Sequence, residues 1–245
     1  SSTIRGASSP LASRTESPAM SRLFSEEELE EMGRRTVDRV CAAFDAGDAA
    51  EAKRLALRMY NEFVGMHDLY RDWLTGTLSV VGRRFGDEVL EEVMTDGIRA
   101  WWTPLSRKLP KGSEHLEQRI RMFVAGLRGH LQPMEIREDD EKIEIFMKPC
   151  GSGGRQIQHG RYDGPDAFLK VERAQRATYG RENVPVYCTH EIAMERVDVE
   201  NDGHPFVITE PAEELGKGYC RLCIYKDPKD IPAHYYTRLG LTKPA

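Results

Sequence analysis

Apolar residues in the first half of the chain recur every three or four positions, which is the spacing of one face of an α-helix. Ser25 and Glu28 have the spacing of a capping box and mark the start of the first helix. Glycine or proline interrupts the pattern near Gly47, Gly86 and Pro104. The pattern therefore predicts a helical bundle over residues 21–130, with helices that begin near residues 25, 48, 69, 87 and 113.

After Pro133 the pattern changes to an alternation of polar and apolar residues, which is typical of strands with one buried face. The predicted strands span residues 134–137, 142–148, 204–209 and 219–225. The first two form a hairpin, a short helix is expected over residues 165–179, and an irregular tail follows Lys226. These elements predict an α+β protein, in which the helical bundle packs on a smaller, β-containing and metal-binding part over residues 131–245.

Residues 1–20 are rich in serine, proline, alanine and threonine and contain almost no large apolar side chains. Such a segment buries too little apolar surface to offset the entropy that it loses on ordering. We therefore expect a disordered leader or an added remnant, with the natural start at Met20. A basic, transit-like tail is the alternative.

The formal net charge of −5, with 40% hydrophobic and 31% charged residues, is typical of a soluble globular protein. The negative charge argues against nucleic acid and anionic membranes as partners. No apolar run approaches the roughly 18–20 residues that span a bilayer. The chain has five cysteines, an odd number, and no apolar signal region near its start. These features favour the reducing cytoplasm and are compatible with an oligomer.

Four of the five cysteines lie in the second half of the chain, at spacings that suit metal ligands. Cys220 and Cys223 form a C-x-x-C pair. Cys188 and His190 form a C-x-H pair, and Cys150 opens a glycine-rich run. This mixture of thiols and one imidazole predicts a zinc site, with five candidate donors for four positions. An iron–sulfur cluster held by the four cysteines, with His190 beside it, is the alternative.

The glycine-rich run predicts an anion-binding loop, because its backbone N–H groups can surround an anion and Arg155 can clamp a carboxylate or phosphate. The candidate substrate-binding residues here are Gly151, Ser152, Gly153, Gly154 and Arg155. The run matches neither a P-loop nor a dinucleotide-binding fingerprint. The alternative is a tight turn that needs glycine for its backbone angles.

His190 and Glu191 adjoin the predicted ligands and are candidate proton-transfer residues, together with His67 in the helical half. Tyr70 and Trp101 are candidates for an aromatic wall that binds the substrate. The alternative for His67 and the aromatic residues is a place in the core of the bundle.

Together these features predict a metal-dependent enzyme, of the hydrolase or lyase type, that acts on a small, anionic, carboxylated organic molecule. Zinc would polarise a carbonyl or activate a water molecule, and Arg155 would orient the substrate. Two alternatives stay open. One is a non-enzymatic sensing or adaptor module with a structural zinc, and the other is an iron–sulfur redox protein.

Overall fold

The computed structural model describes residues 23–131 and 133–244, so the predicted leader at residues 1–20 lies outside the described residues. The helices are α1 (Glu26–Gly33), α2 (Thr36–Asp45), α3 (Ala49–Ser106), α4 (Leu116–Arg128), α5 (Gly153–Gln158), α6 (His190–Asp202) and α7 (Ala233–Arg238). The strands are β1 (Met134–Glu138), β2 (Lys142–Met147), β3 (Lys170–Val171), β4 (Val184–Pro185), β5 (Ile208–Glu210) and β6 (Cys220–Tyr225). The protein thus combines helices and sheet, as predicted.

The chain divides into two compact units, with the boundary between Asn61 and Glu62. The predicted boundary near residue 130 falls inside the second unit, which contains both sheets. The core of the first unit consists of Val40, Ala43, Ala52 and Leu55.

The start of the first helix is capped as predicted. The backbone N–H of Glu28 donates to Ser25 Oγ at 3.1 Å, and the backbone N–H of Ser25 donates to the Glu28 carboxylate at 2.7 Å. The first predicted helix is nevertheless two helices, α1 and α2, because the backbone is extended at Arg34 and Arg35.

Helix α3 covers three of the predicted helices and consists of two helical segments that meet at Gly86, so the helix predicted from residue 87 is present. No proline and no cap interrupts the pattern before Phe85, so the separate helix predicted from residue 69 does not exist. The break predicted at Gly86 is present as a kink, where the backbone φ is 84°. The stop predicted at Pro104 comes two residues later, at Ser106. Proline removes a hydrogen bond to the preceding turn but leaves the residues after it free to stay helical.

A four-stranded antiparallel sheet in the order β1-β2-β6-β5 lies in the second unit. The predicted hairpin of β1 and β2 is confirmed, with Ile136 opposite Ile145. Cys220, at the start of β6, pairs with Met147 at the end of β2. The chain leaves β2 at this point, so Cys150 follows within reach of Cys220.

Different helices bury the two faces of this sheet. Leu127 of α4 packs against Ile145 and Leu222 on one face. Tyr236 of α7 packs against Ile208 on the other face and is only 1% exposed. The prediction of an irregular tail was therefore incomplete, since the tail contains a helix that completes the core.

Helix α6 packs against the second half of α3, where Met94 contacts the cluster that contains Ala193 and Val197. Neither α6 nor the short α5 was predicted. The helix predicted over residues 165–179 is absent, and strand β3 and a short 3-10 turn, Arg176–Thr178, stand in its place. None of the helices in the described residues is long and apolar enough to cross a bilayer.

Candidate functional site

A small cavity lies at the adjacent ends of β2 and β6, beside α5 and α6. The centre of a water molecule can occupy about 40 Å³ of this cavity. That volume is enough for a few water molecules or a small organic group. It is lined by Met147, Cys150, Gly153, Gly154, Ile157, Tyr179, Tyr187, Cys188, His190, Glu191, Thr209, Pro211, Leu215, Gly216, Gly218 and Cys220. These lining residues include three thiols, one imidazole and one carboxylate, but neither lysine nor arginine.

Three cysteines from distant segments meet at this cavity. Cys150 follows strand β2, Cys188 lies in the 3-10 turn before α6, and Cys220 begins β6. All three are free thiols. His190 and Glu191, at the start of α6, line the same cavity. The structure thus brings together five of the residues that were predicted as ligands or catalytic groups.

The glycine-rich turn wraps its backbone around the sulfur of Cys150. The backbone N–H groups of Ser152, Gly153 and Gly154 favour the thiolate form of Cys150 and so lower its pKa, against the effect of burial. These are the N–H groups that were predicted to surround an anion, so part of the predicted anion site faces a side chain of the protein itself.

Two of the glycines are required by close approach of other atoms. A Cβ atom at Gly151 would lie 1.6 Å from the carbonyl oxygen of His130. A Cβ atom at Gly153 would lie 2.8 Å from the sulfur of Cys188. Small residues at these positions let the turn pack against the segment before β1 and against the second thiol.

His190 and Glu191 form a pair that is held from both sides. His190 Nδ1 lies 2.6 Å from the carbonyl oxygen of Tyr187, and His190 Nε2 lies 3.1 Å from Glu191 Oε1. The Thr209 hydroxyl donates to the other oxygen of Glu191 at 3.1 Å. Burial alone would lower the pKa of His190, but the charge of Glu191 and both hydrogen bonds raise it. Burial alone would raise the pKa of Glu191, but the His190 charge and the hydrogen bonds lower it. Both shifts favour the charged forms of the two side chains.

Burial disfavours the thiolate form of all three cysteines. Burial raises the pKa of Cys150, against the opposing backbone N–H groups. Burial, followed by the charges of the neighbouring thiols, raises the pKa of Cys188 well above its ordinary value. Burial also raises the pKa of Cys220 to about 11. Burial therefore outweighs the groups that favour a thiolate, which are the backbone N–H groups beside Cys150 and the charge of Arg181 near Cys188 and Cys220.

Cys223, the second cysteine of the C-x-x-C pair, does not line the cavity. Side chains alternate between the faces of a strand, so residues three apart point in opposite directions. Cys220 accordingly packs with the cluster of Ile145, whereas Cys223 packs with Ile208 and Tyr236 on the other face. The two thiols of this pair do not converge on one point.

The donors do not form a ready-made metal centre. Within residues 23–131 and 133–244, no three His, Cys, Asp or Glu side chains are grouped so that they could hold a metal ion. Three thiols beside an imidazole nevertheless have the chemistry that zinc prefers. Zinc binding would require these side chains to turn towards a common centre, and it stays a prediction.

A second polar cluster surrounds the side chain of Ser152. Its Oγ lies 2.9 Å from His130 Nδ1 and 3.3 Å from His67 Nε2, and His67 Nδ1 lies 3.1 Å from Asp68. The connectivity is that of a Ser-His-Asp triad. Ser152 is only 2% exposed, however, and does not line the cavity. His67, predicted to be catalytic, therefore lies in a cluster that holds the turn in place.

Arg155 has a different partner from the predicted substrate. Its guanidinium lies 3.1 Å from the carboxylate of Asp68, which also pairs with Arg71 at 2.9 Å. The neighbouring Gln156 donates to Asp72 at 2.9 Å. These contacts join α5 to α3, and Arg155 does not line the cavity.

The predicted aromatic wall is likewise elsewhere. Tyr70 is 56% exposed and stacks with Trp73, and Trp101 is 54% exposed and contacts Trp102. Neither Tyr70 nor Trp101 lines the cavity.

Three polar residues of the cavity were missed by the sequence analysis: Tyr179, Tyr187 and Thr209. The ring of Tyr187 lies 4.8 Å from the ring of His190, and burial raises the pKa of Tyr187 to about 12. Tyr187 directly precedes Cys188 in the sequence, so it could have been predicted as a residue of the site. Tyr179 and Thr209 belong to no local motif, and only the fold brings them to the site.

Compared with known proteins, the chain matches no family model, no curated protein and no solved structure.

Proposed function

We propose that the chain is an enzyme that converts a small, uncharged organic molecule in the thiol-lined cavity, with a zinc ion held by Cys150, Cys188 and Cys220. One observation carries the proposal: three free thiols from distant segments meet the His190–Glu191 pair at a single cavity. Burying that many polarisable and ionisable groups together has little value for packing alone, and perturbed groups in a cavity mark candidate functional sites.

The donor set favours zinc over an iron–sulfur cluster. A [4Fe–4S] cluster is commonly held by four thiolates, whereas only three cysteines line the cavity. The fourth, Cys223, packs in the core on the opposite face of β6. Zinc accepts three protein ligands and leaves its fourth position open in catalytic sites.

The residues of the chain would divide the work around such an ion. Bound zinc supplies a Lewis acid that polarises a carbonyl group or activates water. Glu191 is placed to accept a proton in the cavity, with its carboxylate oriented by the Thr209 hydroxyl at 3.1 Å. His190 is fixed by the Tyr187 carbonyl and orients Glu191 through its Nε2.

The lining of the cavity favours an uncharged substrate over the carboxylated one predicted from the sequence. The clamp residue Arg155 is paired with Asp68, and the loop N–H groups are directed at Cys150. An anion in the cavity would meet the carboxylate of Glu191 without a lysine or arginine among the lining residues to balance its charge.

Zinc analysis of the purified protein tests the ligand assignment. We expect about one zinc ion per chain in the wild type. Cys150→Ser, Cys188→Ser and Cys220→Ser should each lose most of it, because each removes one of three ligands. Cys223→Ser is the matched control, since it lies on the same strand but faces the core, and it should keep the zinc. Equal zinc in Cys220→Ser and Cys223→Ser, or none in the wild type, would contradict the assignment.

Turnover of p-nitrophenyl acetate, a small uncharged ester, tests the hydrolytic form of the proposal. Glu191→Gln should reduce the rate at least about 100-fold, the usual effect of losing a general base, while the zinc content stays unchanged. Glu138→Gln, at an exposed strand end, is the control and should have the wild-type rate. A rate that is insensitive to Glu191→Gln would remove this residue from the mechanism.

The small size of the cavity, about 40 Å³, favours one second candidate, a structural zinc in a non-enzymatic module. The variants separate the two functions. A structural zinc predicts that Cys220→Ser lowers the melting temperature and that no ester is turned over by the wild type.

A further inference from the structure

Helix α3 exposes a regular apolar stripe within the second unit. The stripe consists of Phe63, Met66, Tyr70, Trp73, Thr77 and Val80, all of them exposed. Successive members are three or four residues apart in strict alternation, an average period of 3.5 residues. This is the heptad spacing by which one helix packs lengthwise against another. Leu69 and Leu74, which are 55% and 50% exposed, widen the stripe on its two sides.

The stripe lies at the upper end of the apolar patches that monomers usually expose. Its centre, Trp73, is 68% exposed, and the other apolar members are about half exposed. A large aromatic side chain presents roughly 200 Å², so the face offers on the order of 600 Å² of apolar surface. Two such faces would bury on the order of 1,200 Å², which reaches the range of stable protein interfaces. Contiguous apolar patches of this size mark interaction sites.

We propose that this stripe binds the same stripe of a second copy of the chain, with the two helices antiparallel about a two-fold axis. In antiparallel pairs, the first position of a heptad packs against the fourth position of its partner. One register satisfies this along the whole stripe. It places Tyr70 against Trp73 of the second copy, Met66 against Thr77 and Phe63 against Val80.

The residues that flank the stripe agree with this register. In the same alignment Glu62 faces Arg83 of the second copy, and the two-fold axis repeats that pair at the other end. An acidic and a basic group are therefore opposed at both ends of the interface.

The same features favour a second copy over other occupants. A helix that binds a membrane surface is typically rich in lysine and arginine on its polar face, whereas residues 62–81 contain three acidic residues and a single arginine, Arg71, which is buried. An unrelated helix would need to match both the apolar series and the two end charges. A second copy supplies all of these by symmetry.

Sedimentation equilibrium of the full chain tests the interface. We expect the wild type to have twice the chain mass of 27.9 kDa at micromolar concentration. Trp73→Glu should yield a monomer with an unchanged circular dichroism spectrum, because this side chain is 68% exposed and its loss removes no core contact. Met122→Glu, which changes another exposed apolar residue on α4, is the control and should remain a dimer. A wild-type monomer would overturn the proposal, as would a dimer that survives Trp73→Glu.

Charge exchange tests the register independently. Glu62→Arg and Arg83→Glu should each weaken the dimer at least about tenfold, because like charges then face each other at both ends. A mixture of the two variants should form a heterodimer in which every end pair is attractive. Absence of preferential heterodimer formation would overturn the antiparallel register. Binding of the wild type to phosphatidylcholine vesicles as a monomer would overturn the second copy as the occupant.

Discussion

At position 151 the backbone passes so close to another segment that only glycine fits. The position that a Cβ atom would take lies 1.6 Å from the carbonyl oxygen of His130. The approach fixes the turn that carries Cys150 against the segment before β1, and Ser152 adds its hydrogen bond to His130 at 2.9 Å. Because Gly151 has no side chain, the turn can pack in the position that places Cys150 at the cavity.

Gly151→Ala should destabilise the protein by roughly 3 kcal/mol, because the added methyl group forces the turn and the His130 segment apart. Gly97→Ala is the control, since it is exposed on α3 with no atom within 4 Å of its added Cβ. There alanine should stabilise the helix by about 0.5–1 kcal/mol. Urea unfolding measures both changes. Similar free energies for the two variants would show that the turn is not fixed by this contact.

The C-x-x-C pair shows where residue spacing is and is not informative. The same spacing brings two thiols together in a turn but separates them in a strand. The apolar alternation over residues 219–225 already predicted a strand, so the opposite directions of Cys220 and Cys223 could have been predicted from the sequence. The meeting of Cys150, Cys188 and Cys220 at one cavity could not be predicted in this way, because it depends on the pairing of β2 with β6.

At the scale of elements, α6 was missed because its buried face is partly polar. Glu195 and Asp198 are 1% and 4% exposed, which interrupts the apolar stripe that sequence analysis detects. The backbone N–H of Thr209 donates to Glu195 at 2.7 Å, and Arg238 pairs with the same carboxylate at 2.6 Å. These contacts join α6 to β5 and α7, and so hold the helix whose first turn carries His190 and Glu191.

The buried carboxyl group of Asp198 should make the stability of the protein depend on pH. Burial raises the pKa of Asp198 to about 6, with a contribution from the Asp202 charge, against the opposing N–H groups of Trp102 and Phe206 and the Arg119 charge. The folded state therefore holds this proton over a range in which the unfolded state, with a pKa near 4, has lost it. The contribution is complete below about pH 4 and is lost as the pH rises through about 6.

Asp198→Asn should remove the pH dependence that Asp198 contributes to stability. That contribution amounts to a change on the order of 2 kcal/mol in the free energy of unfolding between about pH 4 and pH 7. Urea unfolding across that range, for the variant and the wild type, measures it. Asp140→Asn, in the exposed turn between β1 and β2, should keep the wild-type slope. Parallel curves for wild type and Asp198→Asn would mean that Asp198 does not take up the proton.

At the scale of the whole molecule, periodicity was sufficient to predict the mixture of helices and sheet. It was insufficient for the division at residue 61, because that boundary falls inside an uninterrupted helical pattern. The residue types and motifs of the sequence also assigned Arg155, Tyr70 and Trp101 to the site. Their neighbours in the sequence do not show that Arg155 pairs with Asp68 or that the two aromatic residues face solvent. Among the predicted residues, the cavity is lined by Cys150, Cys188, His190, Glu191 and Cys220 and by the loop glycines Gly153 and Gly154.

X-ray absorption at the zinc edge of the wild-type protein, purified without oxygen, tests the central claim most directly. A site formed by Cys150, Cys188 and Cys220 predicts three sulfur ligands at about 2.3 Å and one lighter ligand at about 2.0 Å. Four sulfur ligands would require Cys223 to leave the core of the sheet. A first shell without sulfur, or a protein without zinc, would contradict the account of the cavity as a zinc centre.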